Sequence, residues 1–222
     1  MSEFDAIVIG LGGAGSSAAY HLSASGLRVL GLEQFGPVHA YGSSHGKTRI
    51  FRTAYAEGES YVPFSQRAQE LFRELERRSG ERILVKTGGL YIGSPEAHAV
   101  RGALRSARRF GLPHEVLGPE QVAQRFPQFV LAEDEVAVHD PEAGVLFPEN
   151  CIRAYDSAAV EAGGQLHFGE TVRDWAAAED AVTVRTNHGE YRARSLVLTA
   201  GAWTAQIAAD LHLPLVIERQ FV

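Results

Sequence analysis

The feature that most constrains this chain is a glycine cluster wedged between an apolar run and a helical pattern. Ala6-Ile7-Val8-Ile9 is continuously apolar, as a strand buried on both faces must be, and it stops at Gly10-Leu11-Gly12-Gly13-Ala14-Gly15. A helical pattern follows from about Ala14 to Ser25, with Ala18, Ala19 and Leu22 on one face and Gly26 as a stop. A second apolar strand, Arg28-Val29-Leu30-Gly31-Leu32, ends in Glu33, eighteen residues past Gly15. Each part of this strand–turn–helix–strand unit has a physical use. Gly10 permits the tight turn, Gly12 lets the backbone approach a diphosphate, and Gly15 lets the helix lie close on the strand. Backbone N–H groups at Gly13 and Ala14 open the helix and attract anions. Glu33 can accept hydrogen bonds from a ribose, and its charge repels a 2′-phosphate. The bland alternative, a glycine-rich surface turn, explains neither the flanking strands nor the acid. The unit therefore points to an adenine dinucleotide, FAD or NAD rather than NADP.

Composition excludes other classes. With 27 acidic and 21 basic residues the net charge is −6, and lysine occurs only at Lys47 and Lys86, so no cationic face for nucleic acid or a membrane surface is expected. No apolar run approaches the ~20 residues that cross a bilayer, and the N-terminus Met-Ser-Glu-Phe-Asp does not resemble a secretory leader. The single cysteine, Cys151, rules out an internal disulfide framework and suits a reducing cytoplasm. The nine histidines show no ligand spacing, so no metal is expected.

The segment after Glu33 and Gln34 is a loop rich in Gly, Ser and His, including Gly42, Ser43, Ser44, His45 and Thr48, and it leads to Arg49 and Arg52. Two arginines three apart share a face on a helix and oppose each other on a strand. A short helical turn capped by Ser43 or Ser44 is the expectation. An ordinary solvated arginine pair is the competing reading.

These residues carry a family resemblance. The run from Gly42 to Tyr55, with Glu57-Gly58 and Tyr61-Val62-Pro63, resembles the monomeric sarcosine oxidase and N-methyltryptophan oxidase family. So do Lys86-Thr87-Gly88-Gly89-Leu90, the stretches Gly144–Phe147 and Glu149–Tyr155, and Ala200-Gly201-Ala202-Trp203. The resemblance runs through essentially the whole chain, in order. It implies FAD as cofactor and a small N-methyl amino acid and O2 as reaction partners. FAD would take a hydride equivalent from the substrate, the imine would be hydrolysed, and O2 would be reduced to hydrogen peroxide. It further implies that Arg52 grips the substrate carboxylate, with Arg49 and His45 beside the flavin ring. Arginine suits that task because it stays cationic and binds carboxylate bidentately.

The expected fold is α/β: a Rossmann-like FAD-binding domain with a parallel sheet and helices, plus part of an inserted α+β substrate domain. Residues 1–80 and 148–213 are assigned to the FAD-binding domain and 81–147 to the substrate domain. Residues 214–222 are read as the start of a further substrate-domain strand. Helices are expected at Ser60–Ser79, with Phe64, Ala68, Leu71 and Leu75 inward, at Glu96–Phe110, Pro119–Phe126 and Pro148–Ala162. Strands are expected at Ile83–Ile92, broken at Gly88-Gly89, and at Gln165–Phe168, with Thr171-Val172-Arg173 as the exit of that strand. A hairpin of Ala181–Thr186 and Tyr191–Ala193 and a separate buried strand from Ser195 complete the set. Val172 matches a position whose backbone meets adenine in such flavoproteins. The small residues Ala200 and Gly201, with Trp203, suit a backbone that approaches a cofactor closely. Cys151 reads as a small buried core residue.

The chain departs from the resemblance at Ser44, where relatives often carry histidine, and at Lys47, where they often carry aspartate. It also stops at Val222, whereas the family continues into a portion bearing an oxygen-activating lysine and a flavin-linking cysteine. The expectation is an N-terminal portion that does not turn over alone and that needs a C-terminal segment or a partner chain. The alternative is a non-catalytic flavin- or dinucleotide-binding fragment.

Overall fold

A strand without polar positions is stable only where both its faces are covered, and in the computed structural model Ala6–Ile9 lies in the middle of a sheet. The structure describes residues 3–218. In chain order come β1 (Phe4–Ile9), α1 (Gly13–Ala24), β2 (Val29–Glu33), β3 (Arg49–Phe51), α2 (Val62–Ser79), β4 (Leu84–Lys86), β5 (Gly89–Gly93) and α3 (His98–Phe110). Then follow β6 (Glu115–Leu117), α4 (Pro119–Arg125), β7 (Val136–Asp140), β8 (Gly144–Leu146), α5 (Pro148–Glu161), β9 (Gln165–Phe168), β10 (Val172–Ala177), β11 (Val182–Thr186) and β12 (Glu190–Leu198). Two units result, one of residues up to Lys47 and from Pro148 onward, the other of Thr48–Phe147.

The first unit is built on a six-stranded sheet in the order β10-β11-β12-β1-β2-β9. β1 pairs in parallel with β12 and β2, so that Ile7 lies between Leu196 and Leu30. Its side chains alternate between two cores. Val8 packs with Leu11, Ala19 and Val29, and with Ala159 of α5, on the helical side. Ile7 and Ile9 pack with Leu30 and Leu32, and with Val182 and Val184 of β11, on the other. The antiparallel β10–β12 meander thus covers the face that the helices leave open. β12 serves both arrangements: Glu190–Ala193 pair with β11 and Ala193–Leu198 with β1. The hairpin strand and the buried strand expected separately are therefore one nine-residue strand. They join because the chain passes from the meander into the parallel sheet without a turn.

The Thr48–Phe147 unit holds two three-stranded antiparallel sheets, β3-β8-β4 and β5-β7-β6, with α2, α3 and α4. Three expectations change here and at the chain's end. Arg49 is not in a helical turn but on β3, opposite Leu146. Ile50 and Phe51 favour the extended form, and Phe51 is anchored edge-on to Phe72 of α2, with ring centroids 6.1 Å apart. Phe64 is not inward: it is 74% exposed, and α2 buries Val62 and Ser65 along with the expected Leu75. Residues 214–218 form no strand, and 219–222 lie outside the described residues.

Candidate dinucleotide site

The cleft of the first unit is assembled from the glycine turn outward. Gly10 has φ +91°, and a Cβ there would lie 2.7 Å from the Thr199 carbonyl oxygen. A Cβ on Gly15 would lie 1.8 Å from the Gly10 carbonyl oxygen and 2.7 Å from Thr199 Oγ1. Both positions must be glycine for the turn, the start of α1 and the end of β12 to meet. The Thr199 hydroxyl lies 2.8 Å from the Gly10 carbonyl and 3.0 Å from that of Ile9, tying β12 to the turn. Gly12 and Gly13 differ, since a Cβ on either would meet nothing nearer than Ser44 Oγ, at 3.5 and 3.2 Å. Their front is free of backbone, as a cradle for a diphosphate requires.

The Gly13 N–H donates to Ser44 Oγ at 3.1 Å. Ser44 thus caps the start of α1 rather than a turn of its own loop. Its hydroxyl sits where the helix offers N–H groups to an anion. The loop is held on its other side by the Gly46 N–H, which donates to Glu149 of α5 at 2.8 Å, and by a contact between His45 Nδ1 and the Gly42 carbonyl. Glu33, only 5% exposed, closes the turn from below. One of its oxygens accepts from the Leu11 N–H at 2.9 Å, and the other accepts from the Phe35 N–H at 3.0 Å and lies 3.4 Å from His39 Nε2. The oxygen that accepts from Leu11 keeps a second lone pair, which leaves capacity for a ribose hydroxyl.

The cleft encloses ≈ 240 Å³ and is lined by Gly10, Gly12, Gly13, Ala14, Glu33, Gln34, Gly42, Ser43, Ser44, His45, Val172, Ala200, Gly201 and Trp203. All of these are residues that sequence reasoning singled out. Gly15 lies behind the turn, under Gly10. Sequence reasoning missed Thr199, His39, Glu170, Thr171, Ile152 and Gln206, which also line the cleft. Their signal was weak because each reaches the cleft through tertiary packing of a strand, loop or helix rather than through local spacing. Phe35 packs against His39, Tyr41 and Trp203, with ring centroids 4.6, 4.6 and 5.5 Å away, and fixes the rim. Cys151 is buried on α5, and burial pushes its thiol pKa up to about 12, so it is no nucleophile at neutral pH.

Thr48, Arg49 and Arg52 belong to the other unit. Arg49 donates to the Thr48 carbonyl at 2.8 Å. Arg52 pairs with Glu57 at 2.9 Å, and its guanidinium lies 5.0 Å from the centroid of the Tyr55 ring. The backbone just after it is pinned. Asp140, fully buried, accepts from the N–H groups of Thr53 and Ala54, each at 3.0 Å, and from the Thr53 hydroxyl at 2.9 Å. Tyr91 donates to the Ala54 carbonyl at 2.6 Å. Gly102 admits the Ala56 carbonyl, which a Cβ would meet at 2.2 Å.

A family model for FAD dependent oxidoreductases matches residues 5–222. The chain is 47% identical over 217 residues to a monomeric sarcosine oxidase of Streptomyces avermitilis, covering 98% of this chain and 56% of that protein. It is 36% identical to an N-methyl-L-tryptophan oxidase of Yersinia pestis, covering 94% of this chain and 56% of that one. Among solved structures, NikD, an unusual amino acid oxidase of nikkomycin biosynthesis, matches with a TM-score of 0.84 at 27% identity, over 95% of this chain and 55% of that one. Glycine oxidase from Geobacillus kaustophilus shares the fold, with a TM-score of 0.81 at 23% identity, over 97% and 60%. The chain spans about half the length of the curated relatives it matches. No helix among the described residues is long and apolar enough to cross a membrane. The glycine cradle fits the diphosphate of FAD, the cofactor in the family's description, and the chain belongs to the family of FAD-dependent oxidoreductases.

Proposed function

We propose that this chain is the FAD-binding portion of an oxidase of N-methyl amino acids, of the kind that converts a secondary amine to an imine with O2 reduced to H2O2. The observation that carries the reading is the cleft: a glycine turn open at Gly12 and Gly13, with Glu33 buried beneath it. The similarity to sarcosine and N-methyltryptophan oxidases supports the substrate class. When bound, FAD supplies the two-electron acceptor. The protein's own residues bind and orient. The Gly13 end of α1 and Ser44 hold the diphosphate, Glu33 holds the ribose, and His45 and Arg49 serve the flavin. Arg52 holds the substrate carboxylate in exchange for Glu57. Residues 81–147 serve as the substrate-domain segment. A lone buried thiol suits work in the cytoplasm.

The test is anaerobic reduction of the bound flavin in the complete gene product. Sarcosine or N-methyl-L-tryptophan should bleach the flavin absorbance, and admitting O2 should release peroxide. Arg52→Lys, which loses the bidentate fork, should raise KM at least ~10-fold. A yellow protein that no secondary amine reduces would favour the second reading, a dinucleotide-binding module without turnover.

A further inference from the structure

Asp156 has no role in the site described so far, yet it is an unusual residue. It is only 8% exposed, and both carboxylate oxygens lack a hydrogen-bond partner among the described residues. A charged carboxylate left that way is costly, and a protein relieves the cost by keeping the proton. Asp156 stands on α5 four residues after Ile152, on the same face of the helix, and Ile152 lines the dinucleotide cleft. Burial, and then the charge of Glu33, push the Asp156 pKa up to about 7.

Other titratable groups stand on α5 itself and on neighbouring elements. On β2 there is Glu33, accompanied by His39 from the following loop. α1 contributes His21, whose ring lies against Tyr155, and on β9 His167 is paired with Glu170 at 2.9 Å. On α5 itself Glu149 is engaged by Gly46 and Arg153 by Asn150.

We propose that Asp156 is a proton-linked positioning residue for the dinucleotide: the cleft holds its ligand most tightly with Asp156 protonated, and ionisation of Asp156 weakens that hold. The inference rests on the FAD reading of the cleft. A second carboxylate charge near Glu33 raises the local negative potential, and the incoming diphosphate is itself an anion. Because linkage is reciprocal, ligand binding near neutral pH draws a proton onto Asp156.

The experiment is an FAD titration of the protein, followed by flavin fluorescence, from about pH 6 to about pH 8.5, with wild type, Asp156→Asn and His39→Gln compared. The diphosphate of FAD has no titrating group in that range, so a slope belongs to the protein. Affinity of the wild type should fall about three- to tenfold as pH rises, Asp156→Asn should stay flat, and His39→Gln should keep most of the slope. An independent readout is the infrared carbonyl band of a protonated carboxyl, present at the acid end and missing in Asp156→Asn. A slope that survives in Asp156→Asn, or wild-type FAD binding with no slope, overturns the proposal while leaving the cleft reading intact. Failure to bind FAD at any pH overturns the cleft reading and this inference with it.

Discussion

Asp140 and Asp156 are both buried, one in each unit, and their surroundings differ in a way that shows what each is for. Asp140 accepts from Thr53, Ala54, Glu142 and Ala143, so its charge is distributed over backbone N–H groups and a hydroxyl. Asp156 has no such donors among the described residues. A satisfied buried carboxylate works as a lock, here on the backbone that follows Arg52. An unsatisfied one works as a proton site, here within reach of the Glu33 charge. The same side chain thus fixes geometry in one place and responds to pH in the other.

The sharpest way to break this comparison is to remove the lock. Asp140→Ala strands the donors of Thr53 and Ala54 and should cost ~3–5 kcal/mol, read as a lower melting temperature and faster amide exchange at Ala54. If amide exchange at Ala54 is unchanged, Asp140 is not what pins the segment. Asp156→Asn should act in the opposite direction and stabilise the protein. The folded pKa of Asp156 is raised from the usual 3.8 to about 7. Its contribution is fully present below the unfolded pKa and is lost as pH rises through about 7. The advantage of the asparagine variant should therefore grow between about pH 4 and pH 7 and level off above it, at a few kcal/mol. Melting curves of both proteins across that range check the sign, and a constant gap would count against it.

Smaller effects sharpen the picture at the cleft. Gly15→Ala drives a methyl into the Gly10 carbonyl and should cost ~1–3 kcal/mol together with a loss of FAD affinity. Ser44→Ala should be the mildest change. It removes the acceptor for the Gly13 N–H and should weaken FAD binding only about two- to fivefold, since the diphosphate can take over that donor. An Ser44→Ala effect as large as that of Gly15→Ala would mean that the loop, rather than the glycine turn, carries the ligand.

How much of this could be read from the sequence follows from how local each feature is. The β1–turn–α1–β2 unit was legible because its strand, glycines, helix and acid occur within about 30 residues. Thr199 was not, because its hydroxyl meets Ile9 and Gly10 only through the parallel register of β12 on β1. Periodicity placed Phe64 inward with Leu75 because it counts apolar residues, yet α2 buries Val62 and Leu75 and leaves Phe64 out. The arginine spacing suggested a helical turn, and pairing of Arg49–Phe51 with Gly144–Leu146, about 95 residues away, decided for a strand. Asp140 and Asp156 look alike as letters on the page. Only folding shows that one meets Thr53 and Ala54 and that the other meets no donor among the described residues.

The most direct trial of the account is a crystal structure of the protein grown with FAD. The diphosphate should lie against the Gly12–Gly13 backbone and Ser44 Oγ, with an adenosine ribose hydroxyl on Glu33. Flavin density elsewhere, or ribose hydroxyls turned away from Glu33, would contradict it.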